Sequence, residues 1–341
     1  MTENLQQPAT PTGVRPASDT GPAATPPLAL LVAGPTASGK SALALELAER
    51  ANGTIINTDA MQVYRELRVL TARPTPADEA RVPHALYGVR PAGEPGSVAW
   101  WREAALAEMQ RTHAAGRLPI LTGGSGLYFA SLTTGLAEIP DPGPAARTEA
   151  RGLLAQIGPA ALHARLAEVD AATASRLRPT DSQRVARAWE VWRGTGSGLS
   201  AWQARAAQPA PWRFAAILLD PPRTELRRVI ATRFAAMLEA GALQEVRSLL
   251  ALGLDPALPA MRAHGVPELT AHLRGTLTLA EAGRRVELVT GQYTKRQATW
   301  FRHHSLADPG HALIINSIIG SSEQFLERNL RTTLAFVQAM A

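Results

Sequence analysis

The stretch Gly34-Pro35-Thr36-Ala37-Ser38-Gly39-Lys40-Ser41 constrains this chain more than any other. It fits the pattern G-x-x-x-x-G-K-[ST], a glycine-rich loop whose backbone N–H groups cradle phosphate oxygens. The flanks decide what the pattern is worth. Leu28-Ala29-Leu30-Leu31-Val32-Ala33 before it is uniformly apolar and reads as a buried strand, and the Ala/Leu-rich run from Ser41 to Arg50 after it reads as a helix. At the start of such a helix, free amides and the helix dipole both favour an anion. Lys40 is expected to reach that anion as a point charge, and the Ser41 hydroxyl to help hold Mg²⁺. The motif alone leaves open which phosphate is bound.

Further strand-like runs follow at Gly53–Asn57, Arg117–Thr122 and Phe214–Asp220, separated by helical stretches. Strands alternating with helices predict an α/β fold with a parallel sheet flanked by helices on both faces. Ligands of such sheets gather at the carboxyl ends of the strands. Gly34, Asp59 and Gly123 each follow a strand end, so they are expected to converge on one cleft. Residues 141–210 break the alternation. After Asp141-Pro142-Gly143-Pro144 the pattern is helical at about 145–157, 159–168 and 181–193, with no strand signal. This predicts an all-helical insertion at 141–210 within a core formed by 28–140 and 211–310, with further helices at about 223–240, 242–251 and 279–303. Residues 311–341 read as a C-terminal tail or helix. Met1–Pro27, with six prolines and no apolar core, reads as a disordered extension rather than a signal peptide.

Composition narrows the chemistry. The chain has no cysteine, which excludes disulfides and thiolate metal sites and fits a reducing, cytoplasmic setting. No apolar run has transmembrane length. The net charge of +6 is uneven: residues 1–140 hold 11 basic against 12 acidic residues, and residues 141–341 hold 24 against 17. The basic excess lies in the second part, where a polyanion or simple solvation are equal readings. Lys40 and Lys295 are the only lysines.

Several positions bear chemistry. Asp59 is placed either to accept a proton from a nucleophile or to serve as the N-cap of a helix beginning at Ala60-Met61-Gln62. Gly123-Gly124-Ser125-Gly126 lets backbone approach a ligand and offers the Ser125 hydroxyl. The strand before it ends without an aspartate, so the Mg²⁺ ligand usual in nucleotide hydrolases is missing there. Gln183, Arg184 and Arg187 lie within one turn of a helix opened by Asp181, and form either a phosphate-binding or a solvated face. Trp189 and Trp192 read as packing aromatics. Tyr293-Thr294-Lys295-Arg296-Gln297-Ala298-Thr299-Trp300-Phe301-Arg302 interleaves cations, aromatics and an amide, a mixture suited to single-stranded RNA and also to an amphipathic helix with Trp300 packed. Met261–Val266 reads as a small loop able to pass close to RNA or a lipid chain. Arg233, taken alone, reads as a surface cation. At this level a small-molecule kinase and a non-catalytic RNA-binding module stand beside an RNA-modifying transferase.

Five motifs in order narrow the choice: Gly34–Ser41, Asn57-Thr58-Asp59-Ala60-Met61-Gln62-Val63-Tyr64, Thr122–Tyr128, Asp181–Glu190 and Thr294–Arg302. Together they resemble the bacterial tRNA dimethylallyltransferases, also called tRNA isopentenyltransferases, over roughly residues 28–305. The resemblance implies a P-loop NTPase-like core with the helical insertion contacting tRNA. It implies transfer of the dimethylallyl group of dimethylallyl diphosphate to the exocyclic amine of the adenosine 3′-adjacent to the anticodon. The loop Gly34, Pro35, Thr36, Ala37, Ser38, Gly39, Lys40, Ser41 is then expected to hold the donor's diphosphate rather than a nucleotide to be hydrolysed, with Mg²⁺ at Ser41.

The resemblance further implies catalytic roles for Asp59 as general base and for Ser125, Lys40 and Arg233. It implies tRNA contacts at Asp59, Ala60, Met61 and Gln62, at Arg147, at Gln183, Arg184, Val185, Ala186 and Arg187, at Arg262, and at Lys295, Arg296 and Arg302. The partners it implies are the anticodon stem-loop of tRNA and dimethylallyl diphosphate, with no membrane, and the protein is expected as a cytoplasmic monomer. Ser125 stands where Thr is more frequent, keeping the hydroxyl. Two departures stand out: Ala60 follows Asp59 where Ser is common, removing one hydroxyl, and Gly265-Val266-Pro267 lacks the aromatic and cation frequent in that segment.

Overall fold

A computed structural model describes residues 25–205, 207–319 and 323–340, so nearly all of the predicted N-terminal extension lies outside the described residues. Six strands, β1 (Leu28–Ala33), β2 (Gly53–Asn57), β3 (His84–Ala85), β4 (Leu118–Gly123), β5 (Arg213–Leu219) and β6 (Ala312–Ile315), form one sheet in the order β3-β2-β4-β1-β5-β6. All pairings are parallel. This is the P-loop NTPase-like architecture, with β1 central and β4 and β5 on either side. The register sets Ala33 beside both Gly123 and Leu218, so the ends of three strands open on one edge.

Alternation along β1 builds the core. Ala29, Leu31 and Ala33 face one apolar layer, and Leu30 and Val32 the other. A strand apolar at every position is what a sheet covered on both faces requires. The helix α1 (Lys40–Arg50) follows the glycine-rich loop and buries Leu43, Ala44, Leu47 and Ala48 on the second layer. After α2 (Pro76–Arg81), the helices α3 (Val98–Ala114) and α4 (Gly126–Thr133) cover the first layer. There the fully buried Trp101 stacks on Tyr128 at 4.3 Å and donates its indole N–H to Asn57 O at 2.8 Å, which fixes the end of β2.

Between α4 and β5 the described chain is helical: α5 (Gly143–Val169), α6 (Ala171–Ala174), α7 (Ser182–Thr195) and α8 (Leu199–Gln203). α5 is a rod bent at Gly158, whose φ of 76° is left-handed and is followed by Pro159. That bend separates the two helices read at 145–157 and 159–168. Leu162 and Leu166 of α5 pack against Val185, Ala188 and Trp189 of α7 in a core of their own. Trp189 and Trp192 pack together at 5.0 Å, as read from the sequence.

After β5 come α9 (Arg223–Glu239), α10 (Ala242–Ala251), α11 (Val266–Leu273) and the long α12 (Leu279–His303). The stretch after residue 310 differs from a plain tail. It supplies β6, and α13 (Glu323–Met340) then packs Leu330 and Val337 onto the α1 layer. β3 and β6 escape a pattern-based reading because a pair of residues and a four-residue edge strand, half of it exposed, are too short to carry a periodicity.

Leu166→Ala removes a fully buried side chain from the small α5–α7 core and is expected to cost about 2–5 kcal/mol. Hydrogen exchange by mass spectrometry should show faster exchange across α5 and α7, with the strand amides of β1 and β4 unchanged.

Candidate active site

The loop after β1 exists because neighbouring backbone leaves no room for side chains. A Cβ on Gly34 would lie 2.8 Å from Leu219 O, and one on Gly39, at a φ of 89°, would lie 2.1 Å from Ile319 O. Ala37 also takes a left-handed conformation, with a φ of 69°, in a loop that concentrates strain where function needs it. Ile319 N–H donates to Ser38 O at 3.1 Å, so the segment after β6 braces the loop from beneath. Lys40 opens α1, and its ammonium donates to Pro35 O at 3.3 Å. Burial pushes its pKa down to about 8, with Asp59 opposing that fall and Arg233 adding to it.

The loops after β2 and β4 meet through another close approach. A Cβ on Gly123 would sit 2.0 Å from Thr58 O. Ser125 N–H donates to Thr58 O at 3.2 Å, and Ser125 Oγ accepts from Ala60 N–H at 3.0 Å. Asn57 Nδ2 reaches both Asp59 O and Leu86 O at 3.0 Å. Asp59 Oδ1 accepts from Met61 N–H at 2.9 Å, so the carboxylate caps a turn, not a helix. That bond orients Asp59 without removing it from the cavity wall.

The cavity above these loops has a volume of about 410 Å³. Thr36 of the phosphate loop, Asp59, Arg233 and Arg296 give it charge and polarity, while Met61, Leu70, Ile230, Phe234, Met237 and Val286 give it an apolar wall. Arg233 is therefore no ordinary surface cation. It points inward from α9, and burial lowers its pKa against the opposing pull of Asp59. Tyr293 and His264 form another wall, their rings 4.8 Å apart. Burial and the nearby Asp59 carboxylate raise the Tyr293 hydroxyl to about 12, with Arg296, Ser125 and Gln297 opposing, and burial lowers the His264 imidazole. A phosphate-binding loop, one carboxylate, one arginine and an apolar wall thus share a space large enough for a small chain and a base.

The residues expected at RNA fall into distinct classes. Gln183, at the start of α7, lines the cavity and brings the helical insertion to its mouth. Arg262 lines it from the loop before α11, and Lys295 and Arg296 are exposed on α12. Arg184 and Arg187 are exposed, and among the described residues they pair within their own helix turn, with Asp181 at 3.5 Å and Glu190 at 3.1 Å. Arg147 pairs with Asp141, and Arg302 makes two bonds to Asp220 at 2.8 and 3.0 Å. Gln62 turns inward to Thr71 O and Ala72 O at 2.8 and 3.1 Å. Val185 and Ala186 require correction: both are buried in the α5–α7 core, so neither presents a side chain to RNA. Val266 is likewise core, and Gly265 takes a φ of 97° before α11. Sequence reasoning assigned no separate role to Tyr293, His264 or Gln297. Their sole signal was membership of runs singled out for other residues.

Residues 62–304 match the family model described as IPP transferase, and residues 28–87 match a second described as isopentenyl transferase. The chain belongs to the IPP transferase family. Among curated relatives of this family, the tRNA dimethylallyltransferase of Granulibacter bethesdensis is 60% identical over 312 residues, covering 91% of this chain and 98% of its own length. That of Gluconacetobacter diazotrophicus is 62% identical over 309 residues, covering 90% and 93%. The crystal structure of the full-length tRNA isopentenylpyrophosphate transferase of Bacillus halodurans superposes with a TM-score of 0.63 at 29% identity, covering 92% of this chain and 97% of that one. A eukaryotic dimethylallyltransferase acting on tRNA, at 22% identity and a TM-score of 0.76, shares the fold. Among the described residues, no helix of this IPP transferase is long and apolar enough to cross a membrane.

The lowered Lys40 pKa has a consequence for anion binding. The ammonium carries its charge below about pH 8 and loses it above. Titration calorimetry with inorganic diphosphate on the free protein should therefore show affinity falling as pH rises through that value, although the ligand itself becomes more highly charged. A rising or flat affinity would remove Lys40 from the anion site.

Proposed function

We propose that this chain transfers the dimethylallyl group of dimethylallyl diphosphate to the N6 amine of the adenosine 3′-adjacent to the anticodon of tRNA, releasing diphosphate. The observation that carries this reading is the shared cavity, lined by Thr36 of the phosphate loop, Asp59, Arg233 and an apolar wall. Relatives with about 60% identity named tRNA dimethylallyltransferase support it. In this reading the protein is a cytoplasmic monomer that engages the anticodon stem-loop through Gln183, Arg184 and Arg187 of the insertion and through Arg262, Lys295 and Arg296.

The chemistry follows from what each group can do. A C–N bond forms between N6 and the donor's first carbon as the C–O bond to diphosphate breaks. The aromatic amine is a weak nucleophile whose proton becomes acidic as that bond forms, and Asp59 accepts it. The leaving diphosphate gathers negative charge, which Lys40, Arg233 and the loop amides are placed to stabilise. Ser125 Oγ accepts the Ala60 amide and so holds the Asp59 turn against the β4 loop. The adenine has to leave its stack, which costs a few kcal/mol and less in a loop than in a duplex.

The residues fit a Mg²⁺ that arrives with the donor. Ser41 presents an exposed hydroxyl at the head of α1, and no cluster of three metal-binding side chains exists among the described residues. Thr122, the last residue of β4 but one, has a buried hydroxyl with no hydrogen-bond partner among the described residues, and the strand ends without the carboxylate that a nucleotide hydrolase would place there. Mg²⁺ takes most of its ligands from phosphate oxygens and water at such sites. Ser41 would hold it, and its chemistry is to neutralise charge on the departing diphosphate.

Incubation with radiolabelled dimethylallyl diphosphate, Mg²⁺ and unmodified tRNA should place label in the RNA, whereas ATP consumption without labelled RNA would indicate a kinase. Asp59→Ala should keep tRNA binding and lose about 10²–10⁴-fold in transfer, measured in single turnover. Arg184→Ala with Arg187→Ala should weaken tRNA binding and flatten its salt dependence by about 0.7–0.9 log unit for each phosphate left without its arginine. An unchanged slope would make both arginines ordinary surface residues.

A further inference from the structure

Gln297 is a buried amide in the middle of a helix whose neighbouring residues Lys295 and Arg296 face outward. Its Oε1 accepts the Thr36 N–H of the phosphate loop at 2.9 Å. Its Nε2 donates to Gly124 O in the loop after β4, also at 2.9 Å. One side chain thus spans two of the loops that build the cavity. One turn earlier on the same helix, Tyr293 lies beside Ser125, whose Oγ accepts from Ala60 N–H, next to Asp59. The path Thr36–Gln297–Gly124 runs through α12, and the Ala60–Ser125 bond lies against the same helix at Tyr293. The loops after β1, β2 and β4 are therefore tied to one helix.

We infer that Gln297 is a positioning residue, which sets the spacing between the loop that holds the donor's diphosphate and the loop that carries Ser125 and orients Asp59. The inference rests on the transfer reaction proposed above. The chemistry of the side chain is specific to this job. A neutral carboxamide sets an acceptor oxygen beside a donor NH2, and Thr36 N–H and Gly124 O call for one contact with each. A carboxylate would meet Gly124 O with a second acceptor and add a negative charge beside the diphosphate. A buried apolar side chain would leave the Thr36 amide and the Gly124 carbonyl unpaired.

Gly124 supplies independent support. A Cβ there would lie 2.1 Å from Gln297 Nε2 and 3.2 Å from its Cδ, and no left-handed φ requires a glycine at this position. The glycine is needed because the Gln297 amide occupies that space. Gln297 is also too buried to contact RNA by its side chain, which separates it from the exposed cations Lys295 and Arg296 just before it.

Two variants and their combination test this. Gln297→Met keeps the length and removes both hydrogen bonds. A misplacement of about 1 Å at a reacting centre costs about 10²-fold, so the single-turnover transfer rate should fall by about that factor, with KM for dimethylallyl diphosphate and tRNA affinity within about threefold of the wild type. Gly124→Ala should cause a comparable loss by displacing the amide. In a Gln297→Ala background the nearest remaining neighbour of the added methyl is Gly34 O at 3.4 Å, an ordinary van der Waals contact, so Gly124→Ala should cost at most about threefold more, the non-additivity of residues in contact. An unchanged rate in Gln297→Met, a loss of donor binding that accounts for the fall, or full additivity of the Gly124 and Gln297 changes would each overturn the inference. Wild-type protein run in parallel keeps the outcomes apart: no labelled tRNA from the wild type defeats the proposed reaction, not the role of Gln297.

Discussion

The close approach of backbone to backbone at the carboxyl edge of the sheet is the constraint on which the rest depends. Gly34 lies against Leu219 O, Gly39 against Ile319 O and Gly123 against Thr58 O, each nearer than a side chain would permit. These contacts draw the loops after β1, β2 and β4 into one surface. They also hold the phosphate loop in a shape with a left-handed alanine at residue 37. Strain of this kind persists because the surroundings over-determine it. Here the bracing comes from β5 and from the segment after β6, which is why a short strand far along the chain matters to a site built near its start.

On that surface the electrostatics are simple. One carboxylate, Asp59, lies near Lys40 and Arg233 and acts on both cations, in surroundings that have lost much of their water. Desolvation weakens both cations, and Asp59 partly restores them. An anion entering the loop would do the same more strongly, so the cations gain charge stability when a diphosphate binds. The apolar side of the cavity serves the complementary need. It shelters an uncharged chain and keeps water from a reactive carbon, while the aromatic and cationic residues of α12 close the space from above.

Much of this was legible in the chain. The strands β1, β2, β4 and β5, the helical character of 143–203 and the roles of the glycine-rich segments follow from local pattern, because a strand buried on both faces and a phosphate loop both leave dense signatures. Asp59 stood out by following a strand end. Arg233 did not stand out by itself: a mid-helix arginine reads the same whether it points outward or into a cavity, and only the packing of α9 against α12 settles the direction. Val185 and Ala186 show the converse. They lie between cations in a segment suited to RNA, yet their apolar side chains take the inner face of an amphipathic helix. Gln297 was visible as a residue of a basic-aromatic run and invisible as a link, since its partners are Thr36 and Gly124, far away in the chain.

The sequence by itself determined that this chain would build a parallel sheet with a phosphate-gripping loop at its edge and helices packed around it. Those features arise from contacts between near neighbours and from the periodicity of apolar residues. Only the tertiary structure decided which charged and polar side chains face the cavity, which are spent on ion pairs such as Arg302 with Asp220, and which bridge the loops. Orientation and partner choice for a polar side chain depend on what the rest of the chain brings within about 3 Å, the range of a hydrogen bond, and no local pattern records that.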